Sequence, residues 1–121
     1  MLLNEAVLQR LEKDASLEVI PEIVSMFVRE TRSRLARMSD ALEQMDLACL
    51  ESESHTLKSS AGTFGAAILE ERARELELAS KAGNADPVVE MMAAIEDAAE
   101  CTIKALAERY NLEVMDEVNT D

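Results

Sequence analysis

The chain has 121 residues, 48% of them apolar, and a formal net charge of −13 from 25 acidic and 12 basic side chains. The length suits one domain with one packed core, and so acidic a surface argues against binding to nucleic acids. Aromatic residues make up only 2% of the chain, which also has just three glycines and two prolines. Residues that favour helices therefore dominate, and the composition predicts an all-helical protein with an aliphatic core.

Two amphipathic helices are predicted in the first part of the chain. Asn4 is placed to cap a short first helix that ends near residues 14–15. The second helix should start at Ser16 or a few residues later, because Pro21 is tolerated only in a first turn. Its apolar residues recur at intervals of three and four over about seven turns. They are Ile20, Ile23, Val24, Phe27, Val28, Leu35, Met38, Leu42 and Met45.

Three further helices are predicted after residues 45–46. The third ends at Gly65, and its inward residues are Leu47, Leu50, Ser54, Leu57, Ala61 and Phe64. The fourth runs from about residue 67 to 81, with Ile68, Leu69, Ala73, Leu76 and Ala79 inward. Asp86 and Pro87 should serve as N-cap and first-turn residue of the fifth. The buried residues of this last helix are Val88, Met91, Met92, Ile95, Ala99, Thr102, Ile103, Leu106 and Tyr110.

Four long amphipathic helices joined by short connections pack most simply as an antiparallel up-down four-helix bundle. The short first helix would then cover the bundle as a lid. We expect a single domain over residues 1–121, with a core of about residues 4–112 and an acidic tail at residues 113–121.

His55, the single histidine of the chain, is predicted to point outward from the middle of the third helix. Helix positions three, four and seven residues away share its face. These neighbours are polar or small: Glu51, Ser52, Lys58, Ser59 and Gly62. A lone exposed histidine is equally compatible with a surface residue that has no role. Lys58, however, places an ammonium where an anion carried by the imidazole would lie. Gly62 costs about 1 kcal/mol of helix propensity relative to alanine, and room for a partner protein would explain it.

Glu77 is the predicted hydrogen-bond partner of His55. If the third and fourth helices fold back at residues 65–66, residues equally far from that turn lie at the same level. His55 then faces Leu76, which belongs to the core, and Glu77. A carboxylate at Nδ1 would fix the ring proton there and leave the lone pair of Nε2 free as a nucleophile. Glu77 could also be a solvated acid in a helix rich in glutamate.

The segment from His55 to Ala66 carries a resemblance. A histidine, a lysine three positions later, small residues, and a Gly-Ala pair beginning ten positions after the histidine resemble the histidine-containing phosphotransfer (HPt) domain family. The similarity in length and helix order extends over nearly the whole chain. It implies that His55 is the phosphoacceptor, that Lys58 is the charge partner of the phosphoryl group, and that Gly65 forms the turn into the next helix. Glu77 stands where the family often has glutamine or another polar residue.

The sequence departs from the family at Ser59, where a glycine usually follows the lysine. The added hydroxymethyl group lies one turn from His55. It could hinder an approaching receiver domain or donate a hydrogen bond to the phosphoryl oxygens. We therefore expect it to alter the transfer rate or the choice of partner without abolishing transfer.

The resemblance implies a phosphorelay carrier between the receiver domain of a hybrid sensor kinase and that of a response regulator. No loop for ATP phosphates is present, so we expect no intrinsic kinase activity and no cofactor of its own, with Mg²⁺ supplied by the receiver. Ser52, Ser59 and Gly62 should contribute to the partner surface. Arg29, Arg32 and Arg72 could flank it, although a solvated face explains each arginine equally well. We expect a monomer.

Two alternatives belong to other classes of protein. One is a helical adaptor that docks receiver domains without transfer. The other is a di-iron bundle, which needs paired Glu-x-x-His units, whereas this chain has one histidine, preceded three positions earlier by Ser52.

No apolar run approaches 18 residues, and the start of the chain has no basic leader. Cys49 and Cys101 lack metal-ligand spacing and should be reduced thiols, so we expect a cytoplasmic protein.

Overall fold

The computed structural model describes residues 1–112, and every regular element within that range is an α-helix. The helices are α1 (Glu5–Asp14), α2 (Ile20–Glu43), α3 (Leu47–Thr63), α4 (Ala67–Lys81) and α5 (Val88–Arg109). Each of the four long helices packs against the next, and α5 closes the ring onto α2. The prediction of an all-helical fold with four long helices and a short first one is confirmed. The predicted acidic tail lies outside the described residues.

A single hydrophobic core is formed by residues from all five helices. The stripes predicted for α3, α4 and α5 are buried or half-buried at every position. The rings of Phe27 and Phe64 stack with their centroids 4.7 Å apart and join α2 to α3. The stripe predicted for α2 is wrong at Met45, which is 44% exposed. Met45 lies beyond the end of α2 in a left-handed conformation (φ +51°), so its side chain leaves the buried face.

The start of α2 agrees with its predicted position, whereas the start of α5 does not. Residues 16–19 form a turn in which the carbonyl of Ser16 accepts from the amides of Val19 and Ile20, and α2 begins only at Ile20. Pro21 then falls in the first turn, as its missing amide requires. The prediction that Asp86 caps α5 is wrong, because α5 begins at Val88 and no side chain caps it.

The turn between α3 and α4 also holds the start of the chain. Gly65 has a φ of +67°, and a Cβ there would lie 3.0 Å from the carbonyl oxygen of Asn4, so both conformation and contact favour glycine. The amide of Asn4 donates to the carbonyl of Gly65 at 2.7 Å, and that of Ala67 donates to the carbonyl of Leu2 at 3.1 Å. The side chain of Asn4 caps α1 as predicted. These contacts place α1 as a lid over this turn.

An ion-pair cluster fixes α2 against α3. Glu53 on α3 accepts from Arg34 at 2.6 Å and from Arg37 at 3.3 Å. Arg37 and Glu53 are equally far from Met45 in the sequence, as expected for antiparallel neighbours joined at that turn. No helix among residues 1–112 is long and apolar enough to span a membrane.

Candidate functional site

His55 projects outward from the middle of α3. Its side chain is 62% exposed, while the buried residues of the same helix lie on the opposite face (Leu50, Ser54, Leu57 and Ala61). The ring atom Nδ1 lies 2.8 Å from Oε2 of Glu77 on α4. The packing of α3 against α4 thus brings His55 and Glu77 together, as the position of the turn at Gly65 predicted.

The carboxylate of Glu77 contacts two side chains of α3, the imidazole of His55 and the ammonium of Lys58. Its Oε2 faces His55, and its Oε1 lies 2.7 Å from Nζ of Lys58, three residues after His55 on α3. The Glu77 side chain is only 15% exposed. The bond from Lys58 is the main cause that lowers the pKa of Glu77 below its ordinary value; burial opposes this shift and the bond from His55 adds to it. Glu77 is therefore an ionised acceptor at neutral pH.

This geometry selects one tautomer of His55. A carboxylate accepts hydrogen bonds and cannot donate one when ionised, so the ring proton belongs on Nδ1. The lone pair then lies on Nε2, the ring nitrogen that has no hydrogen-bond partner among the described residues. An oriented imidazole with an accessible lone pair is the arrangement required of a nucleophilic histidine.

The open space beside the ring lies mainly toward the start of α3. Ala48, Glu51, Ser52 and Thr56 line a shallow depression together with His55 and Glu77. Side chains of a helix lean toward its N-terminus, which explains why the depression extends back along α3 from His55. Ser52 thus borders the depression beside His55. Ala48 and Thr56 were not among the residues predicted for the site, although both are exposed on α3.

Ser59 and Gly62 lie on the other side of the ring, toward the end of α3. The hydroxyl of Ser59 donates to the backbone carbonyl of His55 at 3.3 Å. The space left by Gly62 is filled from within the protein, since a Cβ there would lie 3.2 Å from Oε2 of Glu70 on α4. The lack of a side chain at Gly62 thus allows α4 to pack closely on α3. The roles predicted for Ser59 and Gly62 in partner binding stay predictions.

The three arginines expected to flank the site are dispersed. Arg32 donates to Glu100 on α5 at 3.0 Å, and Arg72 donates to Glu75 within α4 at 3.2 Å. Arg29 is exposed on α2. Arg72 precedes Glu77 by five residues, which turns it about 140° around α4 from the site. Residues 1–112 contain no cluster of three or more side chains suited to hold a metal ion.

The chain is similar in sequence to known proteins. The Hpt domain family matches residues 22–109. The phosphorelay protein LuxU of Vibrio vulnificus (strain YJ016) is 33% identical over 96 residues, which cover 78% of this chain and 84% of that protein. The phosphorelay protein LuxU of Vibrio harveyi is 31% identical over 81 residues, which cover 67% of this chain and 71% of that protein.

A solved structure shares the fold. The histidine-containing phosphotransfer protein B (HptB) from Pseudomonas aeruginosa PAO1 superposes with a TM-score of 0.87 and 21% sequence identity. The superposition covers 91% of this chain and 95% of that one. With a family match that runs from the first turn of α2 to the end of α5, the chain belongs to the Hpt domain family.

Proposed function

We propose that this chain is a phosphotransfer intermediate of a phosphorelay in which His55 carries the phosphoryl group. Membership in the Hpt family and the similarity to LuxU support this role. The observation that carries the proposal is the exposed His55 ring, with Nδ1 bonded to Glu77 at 2.8 Å and Nε2 open to a partner.

The transfer step is an in-line displacement at phosphorus. The Nε2 lone pair of His55 forms the N–P bond, while the P–O bond of a receiver's aspartyl phosphate breaks and its electrons remain on the departing carboxylate. The imidazole ring gains one positive charge and keeps its proton on Nδ1, next to the carboxylate of Glu77. In the onward step, the aspartate of a second receiver attacks the same phosphorus, and the electrons of the N–P bond return to Nε2.

In this proposal the chain positions the nucleophilic imidazole, and the partner domains supply the other reacting groups. Phosphoryl transfer depends mostly on alignment and on neutralisation of charge. We infer that the receiver brings Mg²⁺ together with its aspartate, and that this chain has no kinase activity of its own. The partners proposed are the receiver domain of a hybrid sensor kinase and that of a response regulator, each binding a monomer of this chain.

Labelling with a phosphorylated receiver domain tests the proposal. We expect ³²P to move from the receiver to the chain and to form a bond that is stable in base and labile in acid. His55→Gln should abolish this label, because the chain has no second histidine. Glu90→Gln, a change to glutamine at an exposed position on α5, should retain it.

Two results would contradict the proposal. The first is label that survives in His55→Gln with the same acid lability. The second is a chain that binds phosphorylated receivers from its own cell but takes no label from any of them, which would make it an adaptor.

A further inference from the structure

We infer that the groove between α2 and α5 is the docking site of the chain's own acidic tail, residues 113–121. This groove lies between the first and last helices of the four-helix ring, opposite the α3–α4 pair that carries His55. The inference therefore concerns another face of the molecule and does not depend on the proposed function. The tail holds four acidic residues and no basic one: Glu113, Asp116, Glu117 and Asp121.

The first observation is a concentration of positive charge on this groove. Three connections separate α2 from α5, so the two helices run in opposite directions. Arg32 on α2 donates to Glu100 on α5 at 3.0 Å and so fixes the level at which they pair. By that level, Arg29 on α2 and Lys104 on α5 lie side by side, each about one turn nearer the end of α5. Both are exposed and neither pairs with an acid among the described residues.

The second observation is that small and apolar residues continue the facing sides of the two helices. On α2, Ser25 and Val28 lie seven and four residues before the ion-paired arginine. On α5, Ile103 and Ala107 lie three and seven residues after its glutamate partner, and these spacings keep a residue on one helix face. Val28 and Ile103 are buried, while Ser25 and Ala107 are half-buried and lie level with each other. Two side chains this small leave the groove open near the end of α5.

The third observation is the direction in which the chain leaves α5. Asn111 follows the helix in a left-handed conformation (φ +56°), and the amide of Leu112 donates to the carbonyl of Ala107 at 2.8 Å. This is the bond of a Schellman motif, which ends a helix by turning the chain out of the helix axis. Leu112 is thereby held against the core. The tail thus starts beside the last turn of α5 and not beyond it.

The length of the tail fits the distance to the cations. Lys104 lies five residues before the last residue of α5, about 8 Å along the helix axis. An extended chain advances about 3.3 Å per residue, so its third to fifth residues reach that level, and among them are Asp116 and Glu117. The pair of Arg32 with Glu100 lies about 6 Å further on, within reach of Asp121. The acids of the tail therefore match the cations of the groove in charge and in position.

Zero-length cross-linking of the full chain tests the inference. A carbodiimide joins a lysine amine to a carboxylate in direct contact, and mass spectrometry of the digest identifies the pair. We expect tail carboxylates to be joined to Lys104 in a yield roughly fivefold or more above that at Lys81, an exposed lysine at the end of α4. A mixture of ¹⁴N-labelled and ¹⁵N-labelled chains should show that both partners belong to the same chain.

The neighbouring arginine provides a matched pair of variants. Arg29→Gln removes one exposed charge from the groove and should lower the cross-linking yield at Lys104 roughly twofold. Arg72→Gln, the same change on α4, should leave the yield unaltered. Circular dichroism of each variant establishes that the helices are retained.

Nuclear magnetic resonance gives a second readout that needs no cross-linker. A full chain with a neutral tail carries Glu113→Gln, Asp116→Asn, Glu117→Gln and Asp121→Asn. We expect this change to shift the backbone amide resonances of residues 25–32 and 100–107, because charge is removed from beside them. Resonances around His55, on the opposite face, should stay in place.

The inference is overturned if the tail is joined to every lysine equally or to none, or if the neutral tail leaves the resonances of the groove unchanged. Cross-links between two different chains would also overturn it, because they would assign the groove to a second copy. These outcomes are distinct from failure of the proposed function, in which the native chain would take no label from a phosphorylated receiver.

Discussion

Gly62 shows how one residue near the site serves the contact between two helices. It is half-buried in the last turns of α3, and its missing side chain makes room for the carboxylate of Glu70 on α4. That carboxylate in turn pairs with Arg74 at 3.6 Å. A methyl group at Gly62 would lie 3.2 Å from Oε2 of Glu70, so the cost of alanine there depends on whether Glu70 can move.

We predict that Gly62→Ala stabilises the chain more when Glu70 is also shortened. Alanine gains up to about 1 kcal/mol of helix propensity over glycine, and in the native background part of this gain is lost in displacing Glu70. The measurement is urea unfolding of the native chain, Gly62→Ala, Glu70→Ala and the double variant. An equal gain in both backgrounds would show that Glu70 does not restrict the position.

At the scale of elements, the pairing of α2 with α3 depends on a charge cluster beside the core. Glu53 is 19% exposed and Arg34 14% exposed, so the solvent screens their 2.6 Å contact only partly. Burial raises the pKa of Glu53, but the hydrogen bonds from Arg37 and Arg34 outweigh it and place the pKa below the ordinary value of 4.5. The ionised form therefore stabilises the folded chain.

We predict that Glu53→Gln lowers the free energy of unfolding by about 1 kcal/mol at neutral pH. The native pKa is depressed, so this contribution is complete above the unfolded value near 4.5 and disappears as the pH falls through the lower folded value. Urea unfolding at a series of pH values should show the native and variant curves converging in acid. A difference that widens on acidification would contradict this assignment, and Glu90→Gln, an exposed position on α5, provides the control.

The helices and the His55–Glu77 pair were predictable because local signals determine them. The spacing of apolar residues predicts which face of each helix is buried. Gly65 fixes the turn between α3 and α4, and counting residues from that turn places Glu77 opposite His55. The contact of Lys58 with Glu77 was not predictable, because spacing places the lysine near the histidine without setting its rotamer. Met45 was misplaced because its spacing continues the stripe of α2 beyond the turn. The filling of Gly62 by Glu70 depends on the separation of two helices, which the sequence pattern does not encode.

At the scale of the whole molecule, the lid and His55 occupy different parts of the α3–α4 pair. The lid is fastened at the turn through Asn4 and Gly65. Arg109 at the end of α5 also pairs with two residues of the lid, Glu5 at 2.8 Å and Glu12 at 3.1 Å. His55 precedes Gly65 by ten residues, about 15 Å along a helix. A receiver domain can therefore approach His55 while α1 stays in place.

The position of phosphorus on the phosphorylated chain tests the account most directly. The chain, labelled with ¹⁵N in its single histidine, is phosphorylated by a receiver domain and its ³¹P–¹⁵N coupling is recorded. We predict one P–N species, with phosphorus on Nε2 of His55 and the bond from Nδ1 to Glu77 retained. Phosphorus on Nδ1, or a phosphorylated chain without any P–N signal, would contradict the account.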